Sequence, residues 1–150
     1  MKKLTLAILL GCVGASCGGD SHSEDEATAL SELRSLAEQG DARAQINLGV
    51  MYEDGRGVLQ DYKTAVKWFT LAAEQGHANA QYNLGVMYAD GRGVPEDYVY
   101  AHMWSNIAAS QGYQAAADHR ERAARKMTSA DISAAQKLFY ECVGKEYKGC

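Results

Sequence analysis

Ala44-Gln45-Ile46-Asn47-Leu48-Gly49-Val50-Met51-Tyr52 returns, 36 residues later, as Ala80-Gln81-Tyr82-Asn83-Leu84-Gly85-Val86-Met87-Tyr88. Working outward, residues 37–72 laid over 73–108 agree at 23 of 36 positions. A third, decaying copy begins at Ala109-Ser110-Gln111-Gly112. Self-similarity with a period of roughly 20 to 50 residues marks a solenoid, in which each unit buries its apolar face against its neighbours. Such a chain offers an extended binding surface before it offers a catalytic pocket.

The period is helical throughout. Ala29, Leu30, Leu33, Leu36 and Ala37 lie at the spacing of an amphipathic helix, which predicts a first helix over 27–39. Gly40 ends it, because glycine takes the left-handed conformation at little cost. Further helices are predicted over 42–53, 61–74, 78–89, 97–111, 114–126 and 129–143. The segments Asp54-Gly55-Arg56-Gly57-Val58 and Asp90-Gly91-Arg92-Gly93-Val94-Pro95 form the turns, and Asp131 suits the amino end of the last helix. No stretch reads as a strand. The expected fold class is all-α, a short α-solenoid of helix-turn-helix repeats.

Small residues recur where helices must approach closely: Ala44, Gly49, Ala65 and Ala72 become Ala80, Gly85, Ala101 and Ala108. A mid-helix glycine costs about 1 kcal/mol relative to alanine, so Gly49 and Gly85 predict close backbone contact. Leu48/Leu84, Met51/Met87, Tyr52/Tyr88, Tyr62/Tyr98 and Trp68/Trp104 are expected to fill the remaining core.

One set of residues now stands out: Ala44, Leu48-Gly49, Met51-Tyr52, Gly55, Gly57-Val58, Asp61-Tyr62, Ala65, Trp68 and Ala72-Ala73. Every one returns 36 residues on. This pattern resembles the Sel1-like repeat, a relative of the tetratricopeptide class, over 44–76 and again over 80–112. The stretch from Met127-Thr128-Ser129 to Leu138 is similar to the tail of bacterial members. The resemblance implies a scaffold that binds proteins as an adaptor in signalling or envelope assemblies, with no catalytic residue set and no cofactor. In the third copy Arg120-Glu121 replaces Leu-Gly. A charged pair there predicts that the array stops, since a terminal repeat needs a polar outer face.

The N-terminus reads as a targeting segment. Met1-Lys2-Lys3 is a short basic region, and the apolar stretch 4–13 has the length of a signal-peptide core, well short of the roughly 20 residues a membrane-spanning helix needs. Val13-Gly14-Ala15 would suit ordinary signal peptidase. Cys17, or alternatively Cys12, would suit lipoprotein processing. Cysteine parity favours lipidation at Cys17, because Cys142 and Cys150 otherwise leave an odd thiol. The expected organisation is a signal peptide (1–16), a polar tether (17–26) and an N-terminal capping helix or half-repeat (27–43). Two repeats follow (44–79 and 80–115), then a degenerate repeat with a C-terminal capping helix (116–150). The expected location is the periplasm or the outer membrane as a lipoprotein, with secretion as the alternative.

Net charge is -4 for the full chain. Removing Lys2 and Lys3 takes it two lower, to -6, with no basic stripe, which speaks against nucleic acid. Asp-Gly-Arg-Gly-Val lacks the Lys-Ser/Thr of a phosphate loop and follows no strand; Arg56 and Arg92 are expected to anchor to nearby carboxylates or carbonyls. His22, His77, His102 and His119 show no metal-ligand spacing. Cysteine-rich members of the resembled family are linked to β-lactams, but the chain has neither their cysteine pattern nor a Ser-x-x-Lys nucleophile. A continuous helix would hold Cys142 and Cys150 about 12 Å apart. If Gly144 ends the helix, the chain can fold back and a disulfide is expected. Tyr82, Tyr100 and Tyr113 break the repeat identity, and tyrosine is enriched at binding hot spots. They are the candidate partner surface for a protein or peptide on the concave face. A membrane contact is expected only through an N-terminal lipid.

Overall fold

Aspartates set the helix starts. In the computed structural model, which describes residues 21–150, Asp41 Oδ1 accepts from the Ala44 amide at 2.7 Å. Asp61 and Asp97 cap the next hairpin helices in the same manner, each satisfying amides that the first turn leaves without a helical partner. Among the described residues there are seven helices and no strand. They are α1 (Ser21–Glu38), α2 (Ala42–Asp54), α3 (Tyr62–Ala73), α4 (Ala78–Asp90), α5 (Tyr98–Ser110), α6 (Gln114–Ala124) and α7 (Ser129–Gly144). Gly55 and Gly91 end α2 and α4 in the left-handed conformation, with φ of 70° and 64°, the role for which glycine is suited.

Consecutive helices pack on one another from α1 to α6, and α7 returns to lie along α5. Mid-helix glycines set the approach. A Cβ placed on Gly49 would stand 2.5 Å from the Phe69 ring, and one on Gly85 would stand 2.5 Å from Ser105 Oγ and 3.2 Å from the Ala101 carbonyl. The main core gathers Phe69, Leu84, Met87, Met103, Trp104 and Ile107, with Cys142 of α7 completing it. A smaller cluster of Ala37, Ala44 and Leu48 takes Leu30, Leu33, Met51 and Trp68. The two tryptophans differ accordingly: Trp104 is 2% exposed, whereas Trp68 is half-buried against the shorter N-terminal half-unit.

The first two joints between units each carry a buried polar tie that the sequence reading did not anticipate. Gln45 Nε2 donates to the Ala37 carbonyl at 3.0 Å, and Gln75 Nε2 donates to Gln45 Oε1 at 2.8 Å. One period on, Gln81 donates to the Ala73 carbonyl at 3.2 Å and accepts from Gln111 at 2.6 Å. The third unit has Ala117 at this position, and the ladder ends.

Three expectations change. Helix α1 begins at Ser21, inside the segment expected as tether. The sequence from 20 to 39 holds neither Gly nor Pro, and four of its six carboxylates, Asp20, Glu24, Asp25 and Glu26, come at the amino end, the polarity a helix dipole favours. Gly144 does not make the C-terminal reversal: it remains in α7, and Glu146 and Tyr147 turn the chain at positive φ, 53° and 68°. Asp131 does more than oppose the dipole, because with Thr128 it closes a reciprocal capping box. The signal peptide and both lipidation candidates, Cys12 and Cys17, lie outside the described residues.

Candidate interaction surface

Residues that depart from the repeat collect where α4, α5 and α6 meet. Tyr82 on α4 and Tyr113 at the start of α6 are both half-buried, with ring centroids 5.2 Å apart. Tyr82 also meets His119 edge-on at 5.8 Å, and Asn79 Nδ2 donates to the Tyr113 hydroxyl at 3.4 Å. A depression of about 410 Å³ adjoins Tyr82, lined by Asp118, Glu121 and Arg122 of α6 and by Arg125, which follows it. Two of the three sequence-predicted tyrosines therefore stand together. Tyr100 stands elsewhere, stacked on Tyr88 at 5.1 Å and packed against the main core. Burial, and then the neighbouring Tyr100, raise the Tyr88 phenol above its ordinary value, as expected where the anion is poorly solvated.

Beneath this aromatic pair is a buried polar contact: Ser105 Oγ and His119 Nδ1 lie 2.8 Å apart. Ser105 stands where the first unit has Phe69, and His119 where it has Asn47. Recurrence at 36 residues could have flagged both, since each is a break in the pattern. The pair is not presented for chemistry, because Ser105 is fully buried and a nucleophile must reach its substrate. Arg120 Nη1 donates to Asn106 Oδ1 at 2.9 Å, so the odd residues of α6 find their partners in the odd residues of α5. His102, also buried, has no hydrogen-bond partner at Nδ1 among the described residues.

A second surface lies at the other end of the array. Helices α1 and α2 and the turn after α2 border an apolar groove of about 780 Å³, lined by Leu30, Leu33, Val50 and Met51, with Asn47 and Arg56 among its polar residues. The arginines anchor to carboxylates as expected: Arg56 to Asp54 at 2.9 Å, Arg92 to Glu53 at 2.9 Å and Asp90 at 2.7 Å. Burial raises the Glu53 carboxyl, with Arg92 pulling the other way.

At the C-terminus the sulfurs of Cys142 and Cys150 are joined, their Cα atoms 5.5 Å apart. The closed loop carries Gly149, whose amide donates to Glu74 Oε1 at 2.9 Å, and Tyr147, which lies against Gly76. No group of acidic, histidine or cysteine side chains able to hold a metal occurs among the described residues, and no described helix is long and apolar enough to cross a membrane.

The Sel1 repeat profile matches residues 42–77 and 78–113. The chain carries two Sel1 repeats. Among solved structures, this Sel1-repeat chain is similar to c5321, a protective antigen of uropathogenic Escherichia coli strains displaying an SLR fold. That match has 33% identity and a TM-score of 0.78 over 85% of this chain and 27% of the other. It is also similar to a Sel1 repeat protein from Oxalobacter formigenes, with 41% identity and a TM-score of 0.63 over 64% of this chain and 28% of the other. The Sel1-repeat chain thus spans about a quarter of the length of each. A comparison with curated proteins finds no match.

Proposed function

We propose that the chain is an exported interaction module: a short Sel1 array, held in the bacterial envelope by an N-terminal lipid at Cys17 or free in the periplasm, that binds a partner protein or peptide and performs no chemistry on it. The observation that carries this reading is the half-buried pair of Tyr82 and Tyr113 beside a polar depression on α6. Rigid aromatic rings rimmed by charged groups are the usual anchors of protein contacts. The test is cross-linking in the native cell, with an affinity tag after Cys150. One dominant envelope protein, lost when Tyr82 and Tyr113 are both changed to alanine, supports the module and this surface. No partner above background defeats it. A secreted factor binding host proteins is the second reading, favoured by the description of the similar Escherichia coli chain as a protective antigen. Mature protein in culture supernatant, without a lipid in its intact mass, would select that reading.

A further inference from the structure

Arg56 and Arg92 hold the same place in successive repeats but have different surroundings. Arg92 reaches back into the preceding unit, donating from Nη1 to Glu53 Oε1 at 2.9 Å, and lies 5.7 Å from the centroid of the Tyr62 ring. Next to it Gly93 is flush with the α3 backbone: a Cβ there would overlap the Tyr62 carbonyl. Among the described residues Arg56 pairs only with Asp54 of its own turn, and it is 67% exposed, against 31% for Arg92. Gly57 faces nothing nearer than the Met51 methyl, 3.3 Å from a built Cβ. One period before Glu53 and Tyr62 the sequence has Cys17 and Glu26; no ring is repeated for Arg56, and Glu26, a carboxylate lining the same groove, makes no ion pair with it among the described residues.

We propose that the groove between α1 and α2 receives a helical segment of a partner protein bearing a carboxylate and an aromatic ring, which engage Arg56 as Glu53 and Tyr62 engage Arg92. The inference rests on the interaction-module reading and names a second contact face for it. The apolar side of the segment covers Leu30, Leu33, Val50 and Met51, in the manner of a helix laid in a groove. Asp54 does not compete for the guanidinium, because Arg92 holds its own Asp90 through Nη2 while Nη1 serves Glu53. The ring adds a cation–π contact to the charge-assisted bond. A second copy of the chain is the wrong occupant: Arg125 and Ala134 stand two periods after Glu53 and Tyr62, so its last unit would bring a cation toward Arg56.

The test is selection of helical peptides from a random library against the folded chain, followed by titration of the synthetic winners. Expected winners carry Asp or Glu together with Tyr, Phe or Trp. They bind Arg56→Glu about tenfold more weakly and Arg122→Glu, on the other surface, as wild type, and replacing their carboxylate with lysine restores binding to Arg56→Glu. Winners that are indifferent to Arg56→Glu but lost with Arg122→Glu or Tyr82→Ala would overturn this site and leave the interaction module standing. No winner above background would overturn both. Self-association in sedimentation that is abolished by Arg56→Glu would reassign the groove to a second copy and overturn the choice of partner. Arg56 is exposed, so an unchanged thermal melt shows that the variant remains folded.

Discussion

Gly49 and Gly85 stand at one repeat position, yet the first admits the Phe69 ring and the second admits Ser105 and a carbonyl of α5. Alanine at either is expected to cost about 1–3 kcal/mol by overpacking, read from denaturant unfolding. Phe69→Leu should recover part of the Gly49→Ala loss, and none of the Gly85→Ala loss, since only residues in contact couple. For the tryptophans, Trp104→Ala should cost about 3–5 kcal/mol. Trp68→Ala should cost clearly less, because that ring is half-buried; equal melts for the two variants would refute the difference. Gly49 was legible in the sequence because glycine inside a helix has no local merit and must be repaid by packing. Gln45 and Gln81 were not. A glutamine in a helix reads as surface, and only the fold reveals that these two reach carbonyls of the preceding helix.

At the scale of elements, helix boundaries followed from capping chemistry: Asp41, Asp61 and Asp97 before the helices, and Gly40, Gly76 and Gly112 at positive φ after them. What escaped the reading was the place of the reversal after α7, which falls at Glu146 and Tyr147 inside the Cys142–Cys150 loop and not at the glycine. Reduction, or Cys150→Ser, should lower stability by about 2 kcal/mol, measured by unfolding with and without reductant. The packing of α5 against α6 carries a pH dependence. Burial holds the His102 and His119 imidazoles below their ordinary 6.5, aided by Arg120 and Arg122 respectively, while Asp90 raises His119. The unfolded chain therefore binds more protons as pH falls below 6.5, and stability is lost as pH drops through the folded-state values. The melting temperature should be level above about pH 7 and fall below about 6.5, less steeply in His119→Gln. Glu53, raised from 4.5, acts with the opposite sign and at lower pH; a level melt from about pH 7 to 5.5 would contradict the histidine account.

At the scale of the molecule, the two repeats were legible, since periodicity survives in sequence wherever packing is periodic. The interaction surface was legible only in part. Tyr82 and Tyr113 share a patch, but Tyr100 is six positions from the Asn106 that meets Arg120, and its ring turns to Tyr88 instead. The face a ring takes depends on neighbours from other units, which spacing along one helix does not specify. The bond from Gly149 to Glu74 joins residues 75 apart. The polypeptide therefore doubles back, and its last residues lie beside the turn between α3 and α4 and not at the tip of the stack. They work as a ruler: the clasp closes only on an array of this length. A further unit inserted between α4 and α5 would carry Glu74 out of reach, so this molecule can be lengthened at the α1 end without loss, while growth in its middle must give up the clasp.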